Sequence, residues 1–144
     1  MKVSKNSLVA LVTAMAMAML TVVMMPSVVQ AQSAMQATIP FDFYVGTKWF
    51  PAGDYSVQVT GAYVRVSDRN NHSTFALTNL VANPESRTLG GAKLLFARYG
   101  SYLFLKEVRR GGYTSSNGLI RSNLETTVAK QIGEPELIAN IPSK

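Results

Sequence analysis

The chain has 144 residues, of which 47% are apolar, a formal net charge of +6 at neutral pH and no cysteine. A chain of this length buries one hydrophobic core, which excludes a multidomain enzyme with separate cofactor and substrate domains. Without cysteine there is no disulfide, no thiolate metal site and no cysteine nucleophile. The fold must therefore be stabilised by packing alone.

The beginning of the chain has the three parts of a secretory signal peptide. Two lysines precede an uncharged apolar stretch over 8–25, and Val29 and Ala31 place small residues at the cleavage positions. An uncleaved membrane span is the alternative reading, because this stretch lies at the low edge of spanning length. We predict a cleavable signal peptide over 1–31, a flexible leader over 32–36 and export to the periplasm or the outside of the cell. Removal of the two lysines lowers the net charge to about +4.

The first predicted strand follows this leader. Apolar and polar residues alternate there, which predicts a half-buried strand with four inward side chains, namely Ile39, Phe41, Phe43 and Val45. A two-residue turn over 46–47 then places Tyr44 opposite Trp49 on the outer face. Exposed aromatic side chains on a sheet can stack on sugars or contact a partner protein, whereas a cross-strand pair can also serve only to stabilise the sheet.

The clearest predicted element is a hairpin over 55–68. Gly61 comes first in a two-residue loop, as a type II′ turn requires. The resulting register pairs valines on one face and Gln58 with Arg65 on the other. We expect the valine face to be buried and the other face to be exposed to solvent. A register slip of one residue would exchange the two faces, so the apolar pattern specifies the register.

A further alternating strand is predicted over 73–80. Its alternation suggests that Phe75 and Leu77 point inward. A loop over 83–91 follows, as its proline and paired glycines indicate.

A second hairpin is predicted over 93–109. Its register sets Phe96 opposite Leu105 on one face and Ala97 opposite Phe104 on the other. Strands that are apolar on both faces are usually covered on both, so this hairpin is predicted to lie in the middle of the fold.

The C-terminal part is less regular. An Asn-Gly pair at 117–118 can form a hairpin turn, although 113–125 can equally be a loop or the start of a helix. A capping box that begins at Ser122 and a stripe of apolar residues predict a helix over 123–132. A last short strand is predicted over 137–141.

Six to eight short strands with regular turns and one late helix predict a single all-β domain over 37–144. Its architecture is expected to be a small antiparallel β-sandwich or an open β-barrel. The sequence leaves the strand order, the choice between these two architectures and the oligomeric state open.

Two runs of residues in the first part of the domain follow one another in a recognisable pattern. The run Ile-Pro-Phe-Asp-Phe-Tyr-Val-Gly over 39–46 is followed by Phe-Pro-Ala-Gly-Asp-Tyr-Ser-Val over 50–57. This combination resembles small secreted bacterial proteins of unknown function that share a Pro-Phe-x-Phe-x-Val-Gly … Pro-Ala-Gly-x-Tyr-x-Val pattern. The segment over 96–105 is similar to a second segment of that group. The resemblance implies export and a compact β fold, and it assigns no catalytic residue or ligand.

No motif for catalysis, phosphate binding or metal binding stands out in the sequence. His72 is the sole histidine and lies in a polar turn, which favours a solvated residue over a general base. We therefore expect a non-enzyme without cofactor or metal. Export and a modest charge argue against nucleic-acid binding, and after signal cleavage we expect no membrane-integral segment.

The sequence therefore predicts an exported β domain that binds a protein or glycan of the envelope or of the outside of the cell. The candidate contacts are the Tyr44–Trp49 pair and the basic residues Arg109 and Arg110, which precede two glycines in a flexible loop. Two other functions remain as alternatives, a small periplasmic carrier of an apolar ligand and a hydrolase. Large interior phenylalanines argue against a cavity for such a ligand.

Overall fold

The computed structural model describes residues 34–82 and 91–142. These form ten strands and one helix, in the order β1 (Met35–Ile39), β2 (Phe43–Val45), β3 (Lys48–Phe50), β4 (Gly53–Thr60), β5 (Tyr63–Asp68), β6 (Ser73–Ala82), β7 (Lys93–Tyr99), β8 (Tyr102–Arg109), β9 (Ser115–Leu119), α1 (Asn123–Ile132) and β10 (Glu136–Pro142). The predicted β class with one C-terminal helix is confirmed, with more strands than the predicted six to eight. The predicted signal peptide and most of the predicted loop over 83–91 lie outside the described residues.

The strands form one open sheet in the order β1-β4-β5-β6-β9-β8. Strand β7 pairs with β8 along the whole length of one edge of β8, and β7 in turn pairs with β10. Because a strand has only two edges, β9 and β2 share the other edge of β8 at different positions. The pairing of β2 with β8 is parallel, and the other pairings among the described strands are antiparallel.

The first predicted hairpin is confirmed in its predicted register by β4 and β5. Gln58 lies opposite Arg65, and Gly61 adopts a φ of 57° in the turn. This positive φ is favourable for glycine because it has no Cβ. The inner face of the hairpin carries Val57, Val64 and Val66, which are all buried.

The second predicted hairpin, β7 and β8, is also confirmed, and it is covered on both faces as expected. Phe96 and Leu105 lie in the main core, whereas Ala97 and Phe104 lie in a second apolar cluster with Val128 of α1. A bulge after Leu95 shifts the register within this hairpin. The main core consists of buried side chains from most strands, namely Met35, Ala37, Ile39, Phe43, Val45, Phe50, Tyr55, Val57, Val64, Val66, Leu94, Phe96, Leu105, Val108, Leu119 and Ile141.

The predicted first strand is divided into β1 and β2, which is a correction. β1 pairs with β4 at one side of the sheet, whereas β2 pairs with β3 and β8 at the other. Pro40 cannot donate a ladder hydrogen bond, and the carboxylate of Asp42 accepts the amide of Ala52 at 2.9 Å, so the chain turns a corner between the two strands. The leader prediction is also wrong at its end, because Met35 belongs to β1 and is buried.

The Asn-Gly pair at 117–118 is not a turn but lies within β9. Asn117 is buried and donates its side-chain amide to Thr78 Oγ1 at 3.3 Å. A Cβ added at Gly118 would lie 2.9 Å from Cγ2 of Val81. The glycine therefore permits close approach of β6 and β9, which local turn chemistry cannot reveal.

The inward orientation predicted for Phe75 and Leu77 is wrong as well. β6 pairs with β5 so that Ala76 lies opposite Val64 and Thr74 opposite Val66. Because opposite residues share a face of the sheet and both valines are buried, the alternate positions of β6 point outward.

Helix α1 begins and ends where the capping pattern predicts. Ser122 Oγ accepts the amide of Glu125 at 3.1 Å and donates to the carbonyl of Gly46 at 2.9 Å, which attaches the start of the helix to the β2–β3 turn. The helix ends at Gly133. Among the helical residues of the described ranges, none forms a segment long and apolar enough to cross a membrane.

Candidate functional site

The outer surface of β5 and β6 carries a contiguous group of exposed apolar side chains. We call this surface the β6 face and define it by five residues, Tyr63, Arg65, Phe75, Leu77 and Ile120. Phe75 is 65% exposed and Leu77 is 52% exposed, and Tyr63 and Ile120 are exposed to a similar extent. Single exposed apolar residues are common on soluble proteins, whereas a contiguous group marks an interaction surface.

The strand register brings these side chains together. Tyr63 lies opposite Leu77, and Arg65 lies opposite Phe75. Directly opposite side chains on one face of a sheet are in contact distance. The amide of Ile120 donates to the carbonyl of Leu77 at 3.0 Å, which holds the residue after β9 beside β6.

A surface depression of about 280 Å³ adjoins the β6 face. It is lined by the β2–β3 turn, by four consecutive residues of β6 and by the segment that connects β9 to α1. Phe75, Leu77 and Ile120 belong both to this depression and to the exposed group. The β6 face therefore borders a shallow recess that is open to solvent.

Two cations accompany this apolar surface. The guanidinium of Arg65 lies 5.7 Å from the ring centroid of Phe75, in a cation–π arrangement. Lys48 Nζ donates to the carbonyl of Ser73 at 3.2 Å and lies 5.3 Å from the ring centroid of Phe50. Among the described residues, neither cation forms an ion pair with a carboxylate.

The aromatic pair predicted as a contact surface does form. Tyr44 lies opposite Trp49, and Trp49 is 51% exposed. The Tyr44 ring stacks on the buried Phe104 ring at a centroid distance of 5.2 Å and lies 6.1 Å from Tyr102, a neighbour that the sequence did not suggest. Tyr44 is also packed against the cluster that α1 covers, so much of this pair serves to stabilise the sheet.

The two predicted basic contacts do not join the aromatic pair. Tyr44 pairs with β8 at Phe104, and Arg109 ends the same strand, about 17 Å away at the usual rise per residue. Arg109 Nε donates to Glu107 Oε1 at 2.8 Å, and the Arg110 guanidinium lies 4.1 Å from the ring centroid of Tyr113. Arg109 is thus paired with a carboxylate of its own strand, Arg110 lies over a nearby ring, and the four predicted residues do not form one site.

A polar groove of about 510 Å³ lies along β1 and β4, toward the β1 edge of the sheet. Its carboxylate Asp54 accepts hydrogen bonds from Thr38 and Arg69. Because these polar groups already bind one another and the groove exposes no aromatic side chain, it offers a ligand fewer free contacts than the β6 face does.

His72 lies beside this groove, in the turn between β5 and β6. Its Nδ1 is 2.9 Å from Asp68 Oδ2, and the amides of His72 and Asn70 both donate to Asp68 Oδ1. Desolvation acts to raise the pKa of Asp68, but the hydrogen bonds from His72 and Asn70 outweigh it, so the pKa lies below its ordinary value. Asp68 thereby stabilises the turn, and the structure places no nucleophilic side chain in hydrogen-bond contact with this His–Asp pair within the described residues.

A buried carboxylate that the sequence predicted only as a capping residue connects α1 to the sheet. Glu125 Oε1 accepts the hydroxyl of Tyr99 at 3.0 Å and lies 3.9 Å from Lys106 Nζ and 3.7 Å from Arg121 Nε. Burial and the hydrogen bond to Glu125 raise the pKa of Tyr99. These contacts hold the helix in place over β7 and β8.

Within the described ranges, no group of three or more acidic, histidine or cysteine side chains is close enough to hold a metal ion. Comparison of the chain with protein-family models, with curated proteins and with solved structures finds no match. The similarity to small secreted bacterial proteins therefore stays a prediction, and the function must be argued from the surface of the molecule.

Proposed function

We propose that this protein is an exported, non-catalytic binding module that docks a protein partner of the cell envelope or of the outside of the cell on its β6 face. The observation that carries the proposal is the outward orientation of Phe75 and Leu77 beside a recess. Removing an exposed phenylalanine and leucine from water contributes about 25 cal/mol per Å² of buried apolar surface, from which the entropic costs of association are subtracted. Leaving them in water gives the folded monomer no such benefit.

The β6 face is a better candidate than the Tyr44–Trp49 pair. Tyr44 already has a packing role against Phe104 and α1, which explains its presence without a ligand. Phe75 and Leu77 belong to neither apolar cluster of the core. Their contact with a partner is therefore the simplest physical reason for large apolar side chains at these positions.

A carrier of an apolar ligand is the weaker alternative. The interior of the sheet is filled by interlocking aromatic rings, for example Phe43 and Phe96 with centroids 5.5 Å apart and Phe43 and Tyr55 at 5.1 Å. A small, curved sheet whose interior is filled in this way leaves no room for a ligand inside it. The recess beside β6 is open to solvent and suits a side chain rather than a whole lipophilic molecule.

The proposal is tested by crosslinking in the native host. A photo-crosslinking residue replaces Leu77, and a matched control carries it at Lys130, which is exposed on α1. A protein captured from position 77 and not from position 130 is then purified and titrated against the wild-type protein, Phe75→Asp and Lys130→Glu. We expect Phe75→Asp to weaken binding at least tenfold and Lys130→Glu to leave it unchanged.

Three results would overturn the proposal. The first is equal capture from both positions, and the second is a purified candidate that binds Phe75→Asp as tightly as it binds the wild type. The third is the absence of any adduct from position 77 in the native host. Because Phe75 is largely exposed, its replacement is expected to change stability by less than about 1 kcal/mol, and a denaturation curve verifies that Phe75→Asp remains folded.

A further inference from the structure

From the surroundings of Arg65 we infer the chemistry of the partner, an inference that rests on the proposed function. The docked segment carries a carboxylate that pairs with the Arg65 guanidinium, and it places apolar side chains on Phe75 and Leu77. The β6 face thus recognises an apolar, acidic peptide segment rather than a purely apolar one.

Arg65 has an unused capacity for hydrogen bonds. Its Nε is buried and has no hydrogen-bond partner among the described residues, and it belongs to none of their ion pairs. By contrast, Arg69 binds the carboxylate of Asp54, and Arg109 binds that of Glu107. Because no carboxylate of the described residues neutralises it, the Arg65 guanidinium is available to bind one from a partner.

The strand register surrounds Arg65 with uncharged residues. Gln58 and Phe75 lie opposite it on the two neighbouring strands. Tyr63 and Ser67, two positions away along β5, point to the same face. No carboxylate of the β6 face therefore competes with an incoming one for the guanidinium.

The same register argues against a second copy of this chain as the occupant. A twofold axis that passes close to Arg65 would bring the two Arg65 guanidinium groups together, with no carboxylate of the β6 face between them. Such like-charge contacts disfavour association, whereas a carboxylate from a different protein is complementary in charge.

Contact with Phe75 also prepares Arg65 for this role. A guanidinium that lies over an aromatic ring is restricted in its movement, so less conformational entropy is lost when it binds. Its remaining N–H groups are arranged as a planar fork that matches a carboxylate in two parallel hydrogen bonds. The apolar surface of Leu77 lies within the same patch, so one short segment can make both contacts.

A pair of peptides that differ only in charge tests this inference. The probes are the acetylated and amidated tetrapeptides Leu-Leu-Glu-Leu and Leu-Leu-Gln-Leu, titrated at neutral pH into the isotope-labelled protein and followed by NMR. We expect backbone shifts confined to β5, β6 and the residues after β9, and an affinity for the Glu peptide at least fivefold higher than for the Gln peptide.

Two variants separate this inference from the proposed function. Arg65→Gln is expected to abolish the preference for the Glu peptide, while Arg98→Gln, which replaces an exposed arginine on β7, is expected to keep it. Leu77→Ser is expected to weaken both peptides. Equal affinities for the two peptides, together with loss of both in Leu77→Ser, would overturn the carboxylate contact and leave the apolar docking surface in place.

Other outcomes are equally decisive. If neither peptide perturbs the β6 face, or if the preference survives in Arg65→Gln, the inference is wrong. Vesicles of an anionic phospholipid provide the last comparison: sedimentation of the wild type but not of Arg65→Gln with these vesicles, without any peptide binding, would assign the surface to a membrane instead. The crosslinking result at position 77 decides the proposed function independently.

Discussion

The outer surfaces of β7–β8 and of β5–β6 belong to the same sheet, yet only the first of them is covered. Over β7 and β8, α1 packs Val128 against Ala97, Tyr99 and Phe104, and none of these four side chains is more than 5% exposed. Over β5 and β6, the comparably large Phe75 remains in water.

The difference shows what an apolar outer face requires. The sheet alone cannot bury both of its sides, so an outer apolar side chain must be covered by another element or stay exposed. Helix α1 covers one hairpin because Glu125 and Ser122 attach it to the sheet at two points. No element of the described residues covers the β6 face in this way, and we therefore propose it as the docking surface.

The largest expected effect comes from removing one aromatic ring from each of the two regions, Phe104 under α1 and Phe75 on the β6 face. Phe104→Ala leaves a cavity between α1 and the sheet and is expected to lower the free energy of unfolding by about 3–5 kcal/mol. Phe75→Ala is expected to lower it by less than about 1 kcal/mol, because its ring is largely in water already. Urea denaturation of both variants measures the difference. Similar losses in the two variants would mean that the β6 face is part of the folded core.

A smaller effect is expected at the buried attachment of α1. Glu125→Ala leaves the Tyr99 hydroxyl and two cations without their acceptor, and it is expected to lower the free energy of unfolding by about 1–3 kcal/mol. Glu134→Gln, a change at an exposed residue after the helix, is the matched control and is expected to have almost no effect. A loss in the control as large as in Glu125→Ala would show that negative charge in general, and not the buried contact, stabilises this region.

The smallest effects concern pH, and they have opposite directions in the two regions. At the turn between β5 and β6, the folded pKa of Asp68 lies below its ordinary value, so its stabilisation is present above the unfolded pKa and is lost as the pH falls through the folded pKa. Under α1, the pKa of Tyr99 is raised, so its stabilisation is present below the unfolded pKa and is lost as the pH rises through the folded one.

Measurements of the free energy of unfolding as a function of pH test both of these dependences. Asp68→Asn is expected to be less stable than the wild type at neutral pH and to approach it as the medium becomes acidic. Tyr99→Phe is expected to lose less stability than the wild type at strongly alkaline pH. If Asp68→Asn stayed equally far below the wild type at every acidic pH, the hydrogen bonds to the ionised carboxylate would not be the source of its stabilisation.

The elements that sequence patterns predicted well are those defined by residues close together in the chain. The register of the first hairpin followed from Gly61 and the alternation on either side of it. The opposition of Tyr44 and Trp49 followed from a two-residue turn. Helix α1 followed from Ser122 and Gly133, which are its capping residues.

The predictions that failed depend on partners distant in the chain. Phe75 and Leu77 were assigned to the core because they are the large members of an alternating strand, but the buried valines of β5 decide which face of β6 points inward. The turn that joins β5 and β6 aligns Ser67 with Ser73. Two residues further from the turn on each strand, Arg65 therefore lies opposite Phe75. That signal was present in the sequence, and the size of the side chains obscured it.

The amino-acid sequence by itself determined the β class, the register of the first hairpin, that of the second from its turn to the bulge, and the extent of the helix, because alternation, turn residues and caps act within a few positions of the chain. Only the tertiary structure decided that β6 turns its phenylalanine to solvent, that Gly118 of β9 lies between β6 and β8, and that the residues paired with Arg65 on the neighbouring strands are uncharged. These features arise where strands far apart in the chain meet, since pairing between them sets which side chains share a face. The candidate binding surface is a product of that pairing.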